Sequence, residues 1–376
     1  KPPDLGTSGE GFMSGALRVM IMAGGTGGHV FPALAVAQAL REHGHEVVWM
    51  GAPDSFESRT VPAQGFAMEY VQVGGLRGKN ALTLLAAPLR LLRALWQAWA
   101  ILSRCRPHAV LGMGGFAAGP GGLAAWLRRV PLVIHEQNAA AGLTNRLLSR
   151  LARRVLQAFP DTFASGRTVG NPVRQGFAEL PSPSRRMGPR ADDRPCLLVL
   201  GGSQGARALN LRVPQALALM PPQTRPRVRH QAGRTLELAR RAYAAAGVEA
   251  RLEAFIADMP QAYAEADLVV CRAGASTVAE LCAAGCASLL VPFPHAVDDH
   301  QTRNGEYLVD ARAARLVAES ELSPQRLCDE VQELLADRLY LIEMAESARR
   351  RAWTGATEAI AQACIELGQR DAGGRS

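Results

Sequence analysis

The chain has 376 residues, 48% of them hydrophobic and 20% charged, and a formal net charge of +8. This is the composition of an ordinary globular protein with enough chain for two or three domains. Its positive charge is dispersed, without an RRM, helix-turn-helix or zinc-finger pattern, so a nucleic-acid module is not expected, while acidic lipids and phosphorylated substrates remain open.

The opening "KPPDLGTSGEGF" lacks the apolar core of a signal peptide and precedes Met13, so residues 1–16 read as a leader or tag remnant outside the fold. Next, "LRVMI" reads as a buried strand and "VFPALAVAQALREHG" as a helix, with "MAGGTGGHVFP" (22–32) between and across them. Its glycines Gly24, Gly25, Gly27 and Gly28 allow a tight turn and close backbone approach, and a helix beginning there offers amides to an anion. The third glycine of G-x-G-x-x-G would fall on Val30, and no P-loop lysine follows, so neither nucleotide fingerprint is met. The greasy stretch "ALTLLAAPLRLLRALWQAWAIL" (81–102) carries Pro88, Arg90 and Arg93 in its middle and is a poor membrane span. Its apolar side either packs on the core or rests on a membrane surface.

The runs "LRVMIMA", "HEVVWMG", "HAVLGMG", "PLVIHE" and "RRVLQAF" alternate with helical patterns, which predicts a mainly parallel sheet and a first domain over 17–170. The stretch "NPVRQGFAELPSPSRRMGPRADDRP" is rich in Pro, Arg and Ser and reads as an exposed connection. A second domain, 171–353, restarts the pattern with "CLLVLGGSQGARALN" and continues through "RVRHQAG", "EARLEAF", "DLVVCRAG" and "ASLLVPF". A last helix, about 354–370, is expected to return to the first domain. Seven scattered cysteines without a C-x-x-C pair point to buried thiols in a reduced, cytoplasmic setting.

Three glycine-rich loops, "AGGTGGH" (23–29), "GMGGFAAGPGG" (112–122) and "GGSQGA" (201–206), each follow a predicted strand. In open α/β sheets that edge binds ligands, and three such loops favour phosphate-bearing ligands in a shared cleft. "GMGGFA" also fits an NAD-binding G-x-G-x-x-A, although it comes late in its domain. "GGSQG" fits a nucleophile elbow with Ser203 as nucleophile and Asp298, His295 or His300 as later triad members. "HEQN" (135–138) brings four polar side chains to the same edge. In "CRAGASTVAE" (271–280) small residues open a helix, and Glu280 either accepts hydrogen bonds from a ribose diol or complements the helix dipole. "PFPHAVDDHQTRNG" (292–305) adds a polar cluster. No D-x-D or His/Asp ligand set is present, so no metal is required.

Taken together, "GGTGGHVFPALA", "GMGGFAAGPGG", "HEQN", "GNPVR", "GGSQGARALN", "CRAGASTVAEL" and "PFPHAVDDHQTRN" resemble, in order and spacing, the MurG family of bacterial peptidoglycan glycosyltransferases. The resemblance runs from Leu17 to the final helix. It implies a GT-B fold: two Rossmann-like doubly wound α/β domains separated by a deep cleft, the acceptor on the first and the donor on the second. It further implies inverting transfer of N-acetylglucosamine from UDP-N-acetylglucosamine to the C4 hydroxyl of the MurNAc unit of lipid I, giving lipid II, with no cofactor. The implied donor contacts are Thr26, Gly27, Gly28, Asn138, Arg174, Ser203, Ile256, Ala275, Ser276, Thr277, Val278, Ala279, Glu280 and Gln301, with His300 the alternative to Gln301. On this resemblance Ser203 touches the diphosphate and Glu280 accepts from the ribose. His29 is the expected base, with His135 or Glu136 as second choice. The implied partners are UDP-N-acetylglucosamine, undecaprenyl-diphospho-MurNAc-pentapeptide (lipid I), other cell-wall synthesis proteins and an anionic membrane surface. That surface would be the cytoplasmic face of the inner membrane, met peripherally through Leu82, Leu85, Arg90, Arg93 and Trp96. A UDP-sugar epimerase or glycolipid glycosyltransferase keeps the fold and changes the chemistry; a serine hydrolase at Ser203 is the remaining alternative.

Overall fold

The computed structural model of the chain describes residues 15–73, 87–177, 179–188 and 194–373. Its strands are short runs rich in Val, Ile, Leu and Met. In the central strands β1 (Arg18–Met22) and β8 (Cys196–Leu200), nearly every residue is buried, as expected where helices cover both faces of a parallel sheet. The others of the first sheet are β2 (Glu46–Gly51), β3 (Ala67–Tyr70), β4 (Ala109–Gly112), β5 (Leu132–Glu136), β6 (Arg154–Gln157) and β7 (Arg167–Thr168). The second sheet adds β9 (Arg227–Gln231), β10 (Arg251–Glu253), β11 (Leu268–Cys271), β12 (Ser288–Leu290) and β13 (Ala314–Leu316).

The first sheet runs β3-β2-β1-β4-β5-β6-β7 and the second β10-β9-β8-β11-β12-β13. Each therefore starts at its centre, winds out to one edge, returns across the first strand and winds to the other, which is the doubly wound nucleotide-binding order made twice. The central ladders are parallel: Val19 lies opposite Val47 and Ala109, and Val199 opposite His230 and Val270. This topology opens a crevice at the carboxyl ends of β1 and β4 in one sheet and of β8 and β11 in the other.

The helices are α1 (Gly27–Glu42), α2 (Phe56–Thr60), α3 (Ala87–Cys105), α4 (Ala118–Leu127), α5 (Leu143–Leu148), α6 (Pro183–Arg186) and α7 (Arg207–Leu219), followed by α8 (Leu236–Ala246) and α9 (Met259–Glu265). The rest are α10 (Ala275–Ala284), α11 (His300–Val309), α12 (Pro324–Ala336), α13 (Arg338–Arg350) and α14 (Ala356–Gly373). The first of them begins two residues before His29, so Gly27 and Gly28 belong to its opening turn. All seven cysteines are buried and free.

By packing, the chain divides into residues 1–134, 147–154 and 360–376 on one side and 135–146 with 155–359 on the other. The sequence places the boundary near 171, which differs. The reason lies in the turn after β5: His135, Glu136 and Asn138 bond to one another and to Gly142, Asn145, Gly170 and Asn304. Most of α14 packs with the first unit, where Gly368 lies against Leu17 and His108 and Glu366 pairs with Arg154.

Candidate active site

The loop from Ala23 to Gly28 leaves β1 at the first switch point and enters α1, whose first-turn amides lack intrahelical acceptors by construction. The buried Trp49 indole donates to the Ala23 carbonyl at 2.9 Å. Beneath the loop, buried Glu57 accepts from the backbone N–H of Gly25 at 3.0 Å and of Ala52 at 3.2 Å. The second glycine loop, after β4, packs directly on the first. A β-carbon on Gly115, whose φ is +92°, would lie 2.7 Å from the Gly24 nitrogen, and one on Gly114 would lie 2.8 Å from the His29 ring. These glycines therefore admit a neighbouring loop and not a pyrophosphate, which sets aside the NAD reading of "GMGGFA". Thr26 and Gly28 are exposed, and Gly27 and His29 are partly exposed, at the mouth of this edge.

The "HEQN" turn belongs, by packing, to the second unit. His135 is fully buried, and its Nε2 donates to the Gly170 carbonyl at 2.9 Å; burial pushes its pKa down to about 4, against smaller upward pulls from that bond and from Glu136. Glu136 is also buried, with one oxygen taking the Asn138 backbone N–H and side-chain amide and the other the Gly142 N–H and the Asn145 amide. Both residues thus hold the turn. Asn138 is partly exposed, and its Oδ1 accepts from Asn304 at 3.2 Å. Fully buried Asn304 also accepts from the Ala139 N–H at 2.8 Å and donates to the Ala273 carbonyl at 3.2 Å. It thereby ties the turn to the loop after β11.

At the second switch point, exposed Ser203 sits on the loop between β8 and α7. Neutral groups brace that loop. Gly201 donates to the Gln231 carbonyl at 2.9 Å, Arg234 N–H to the Ser203 carbonyl at 3.2 Å, and a β-carbon on Gly205 would collide with the Thr235 hydroxyl and the Ala232 carbonyl. Buried Asn210 holds the Thr235 hydroxyl from behind at 2.8 Å. An elbow serine sits on a strained turn at the start of its helix. Ser203 is not among the residues of positive φ, and α7 begins only at Arg207, so the nucleophile geometry is not met.

The loop after β11 leads into α10, with Gly274 as its N-cap and Ala275, Ser276 and Thr277 in its first turn. Glu280 is buried one turn later, its carboxylate 3.5 Å from Arg174 Nε and accepting from Tyr263 Oη at 3.3 Å. Burial raises its pKa, while Arg174 and the Tyr263 hydrogen bond pull it down. The structure thus brings together Arg174 and Glu280, which lie on separate sequence motifs. Ser276, Thr277 and Ala279 are partly exposed, whereas the side chains of Ala275 and Val278 are buried. Ile256 is fully buried in a core cluster. Gln301 opens α11 with its amide oxygen accepting from Phe293 N–H at 2.9 Å.

Helix α3 packs one face on the core, as one of the two readings of its sequence expects, and leaves the opposite face exposed. Ala94, Ala98, Ile101, Leu102 and Cys105 are buried, while Leu89, Leu92 and Trp96 are 72%, 62% and 70% exposed on the opposite face, with Arg90 and Arg93 beside them. Leu82 and Leu85 lie outside the described residues. No described helix is long and apolar enough to cross a membrane, and no metal-holding group of His, Cys, Asp or Glu occurs among the described residues.

Residues 19–157 match the glycosyltransferase family 28 N-terminal domain and residues 196–362 its C-terminal domain. The chain is 57% identical to a UDP-N-acetylglucosamine--N-acetylmuramyl-(pentapeptide) pyrophosphoryl-undecaprenol N-acetylglucosamine transferase of Nitrosococcus oceani, over 94% of this chain and 99% of the relative. It is 53% identical to the protein of the same name from Marinobacter nauticus, over 93% and 97%. Among solved structures, Acinetobacter baumannii MurG superimposes with a TM-score of 0.82 at 40% identity, covering 93% of this chain and 99% of that one. The calicheamicin glycosyltransferase CalG4, 19% identical with a TM-score of 0.67 over 94% and 99%, shares the fold. With two parallel sheets of one winding, both family domains in order and relatives of this identity over nearly its whole length, the chain belongs to the MurG group of glycosyltransferase family 28 and has the GT-B fold.

Proposed function

We propose that the chain is a hexosyltransferase that moves N-acetylglucosamine from UDP-N-acetylglucosamine to the C4 hydroxyl of the MurNAc unit of lipid I, yielding lipid II. The observation that carries the donor side is the Arg174–Glu280 pair beside the opening of α10, at the second switch point. A carboxylate there accepts from the ribose hydroxyls. Arg174, the Ser203 hydroxyl and the amides at the start of α10 meet the charge that grows on the departing diphosphate. Asn138, Ile256, Ala275–Ala279 and Gln301 complete the donor contacts.

His29 acts as the base. It takes the C4 hydroxyl proton as the oxygen attacks the anomeric carbon from the side opposite UDP, so the configuration inverts and a β-1,4 bond forms. Attack requires the two reacting atoms within about 3.5 Å, which binding of both substrates must provide. The acceptor's lipid reaches the protein at an anionic membrane surface, against the exposed apolar stripe of α3 flanked by Arg90 and Arg93. Changing Leu92 and Trp96 to Asp is expected to abolish binding to anionic vesicles; equal binding would refute this part.

UDP release from UDP-N-acetylglucosamine, measured with and without a short-chain lipid I analogue, tests the reaction. Release that depends on the analogue is expected. Release without an acceptor would instead assign a hydrolase or epimerase.

A further inference from the structure

Glu57 lies far in sequence from every glycine loop and resembles an ordinary exposed acid at the start of a short helix. The structure buries it, and its neighbours are unusual. An ionised carboxylate leaves water only when its oxygens find donors. Both oxygens of Glu57 take backbone amides, those of Gly25 and Ala52. Its carboxyl group also fills the space where a side chain at residue 24 would go. A β-carbon on Gly24 would lie 2.7 Å from the Glu57 carboxyl carbon, and one on Gly51 would lie 2.8 Å from Glu57 Cγ.

The contacts continue from there in a single line. Gly24 rests against Gly115, and Gly114, its chain neighbour, rests against the ring of His29. We propose that Glu57 is the positioning residue of the acceptor edge: by gripping Gly25 and occupying the place beneath Gly24, it fixes the height of the first glycine loop and with it the setting of His29. Because both carboxylate oxygens are engaged away from solvent, Glu57 acts through the loop and does not touch substrate. The inference rests on the reading of His29 and this loop as the acceptor edge.

The test is Glu57→Gln, which keeps the shape and replaces one acceptor oxygen by an amide that faces a backbone N–H. Turnover with the lipid I analogue should fall about ten- to a hundredfold, while KM for UDP-N-acetylglucosamine stays within about twofold. Amide hydrogen exchange over residues 23–28 should accelerate with β1 and β4 unchanged. Wild-type turnover in this variant, or unchanged exchange in the loop, would overturn the proposal. A wild-type enzyme that releases no UDP with the analogue would refute the underlying functional reading instead, and loop exchange in Glu57→Gln would still decide whether Glu57 grips the loop. Should Glu57→Gln fail to fold, Gly24→Ala disturbs the same contact from the loop side and is expected to give the same loss of turnover with donor KM preserved; wild-type turnover there would overturn the proposal.

Discussion

The two sheets share a winding order, and each sends its first strand into a glycine-rich turn, yet the two turns are built on different supports. The first stands on a buried carboxylate, Glu57, which consumes the Gly25 amide, and it leans on a second glycine loop. The second stands on neutral groups: the Gln231 and Ala232 carbonyls, the Thr235 hydroxyl and the Asn210 amide. The Gly25 amide that Glu57 takes up is not open to an anion, whereas the supports of the second loop leave its dipoles free to act on one. On the proposed function the same glycine pattern serves two chemistries, with the diphosphate on the second loop and the sugar hydroxyl with its base on the first.

Substituting the loop glycines should separate the two edges most sharply. Gly205→Ala places a methyl into the Thr235 hydroxyl and the Ala232 carbonyl at a residue of φ +82°. It should lower stability to urea by about 3 kcal/mol and abolish donor binding. Gly115→Ala, at φ +92° against the Gly24 backbone, should stop turnover yet leave donor binding measurable by calorimetry. Equal loss of donor binding in both would erase the distinction.

The pH dependence probes the His135 turn of the second unit. The folded pKa of His135, about 4, lies below the ordinary 6.5, so the unfolded chain binds a proton that the native state excludes between those values. Stability should therefore fall as pH drops from 6.5 toward 4, by about 2 kcal/mol at pH 5 from this side chain. His135→Gln should flatten that slope in urea titrations at pH 7 and 5. A slope unchanged by the substitution would contradict a buried neutral imidazole.

Glu280→Gln gives a smaller and two-sided effect. Burial raises the Glu280 pKa, so its charge destabilises the native state at pH 7, and removing it should raise Tm while KM for the donor rises about tenfold. For the same reason, donor affinity in the wild type should weaken on acidification at a higher pH than an ordinary carboxylate would give. A lower Tm with unchanged KM would mark Glu280 as a structural partner of Arg174 and Tyr263 alone.

The central strands were legible because they are buried on both faces and read as unbroken apolar runs. The strands β3, β7 and β13 were not. Ala67–Tyr70 lies at a sheet edge, half exposed and containing Glu69, Arg167–Thr168 is too short to carry a period, and Ala314–Leu316 is an edge strand with a partly exposed arginine at its centre. The glycine loops were readable because chain geometry demands those residues locally. Their supports were not: Glu57 reaches Gly25 across 32 positions and Asn304 reaches Asn138 across 166, and nothing beside either residue announces the partner. The structural part of His135 and Glu136 was hard to read for the opposite reason. Their side chains are those of catalysis, and only burial and a full set of hydrogen bonds reveal that they hold a turn.

The division of labour between the two edges is tested most directly by His29→Ala, with donor affinity measured by calorimetry and turnover measured at saturating donor and acceptor. Turnover should fall by about two to four orders of magnitude with the donor Kd close to that of the wild type. Near wild-type turnover, or a donor Kd weakened in step with the rate, would contradict it.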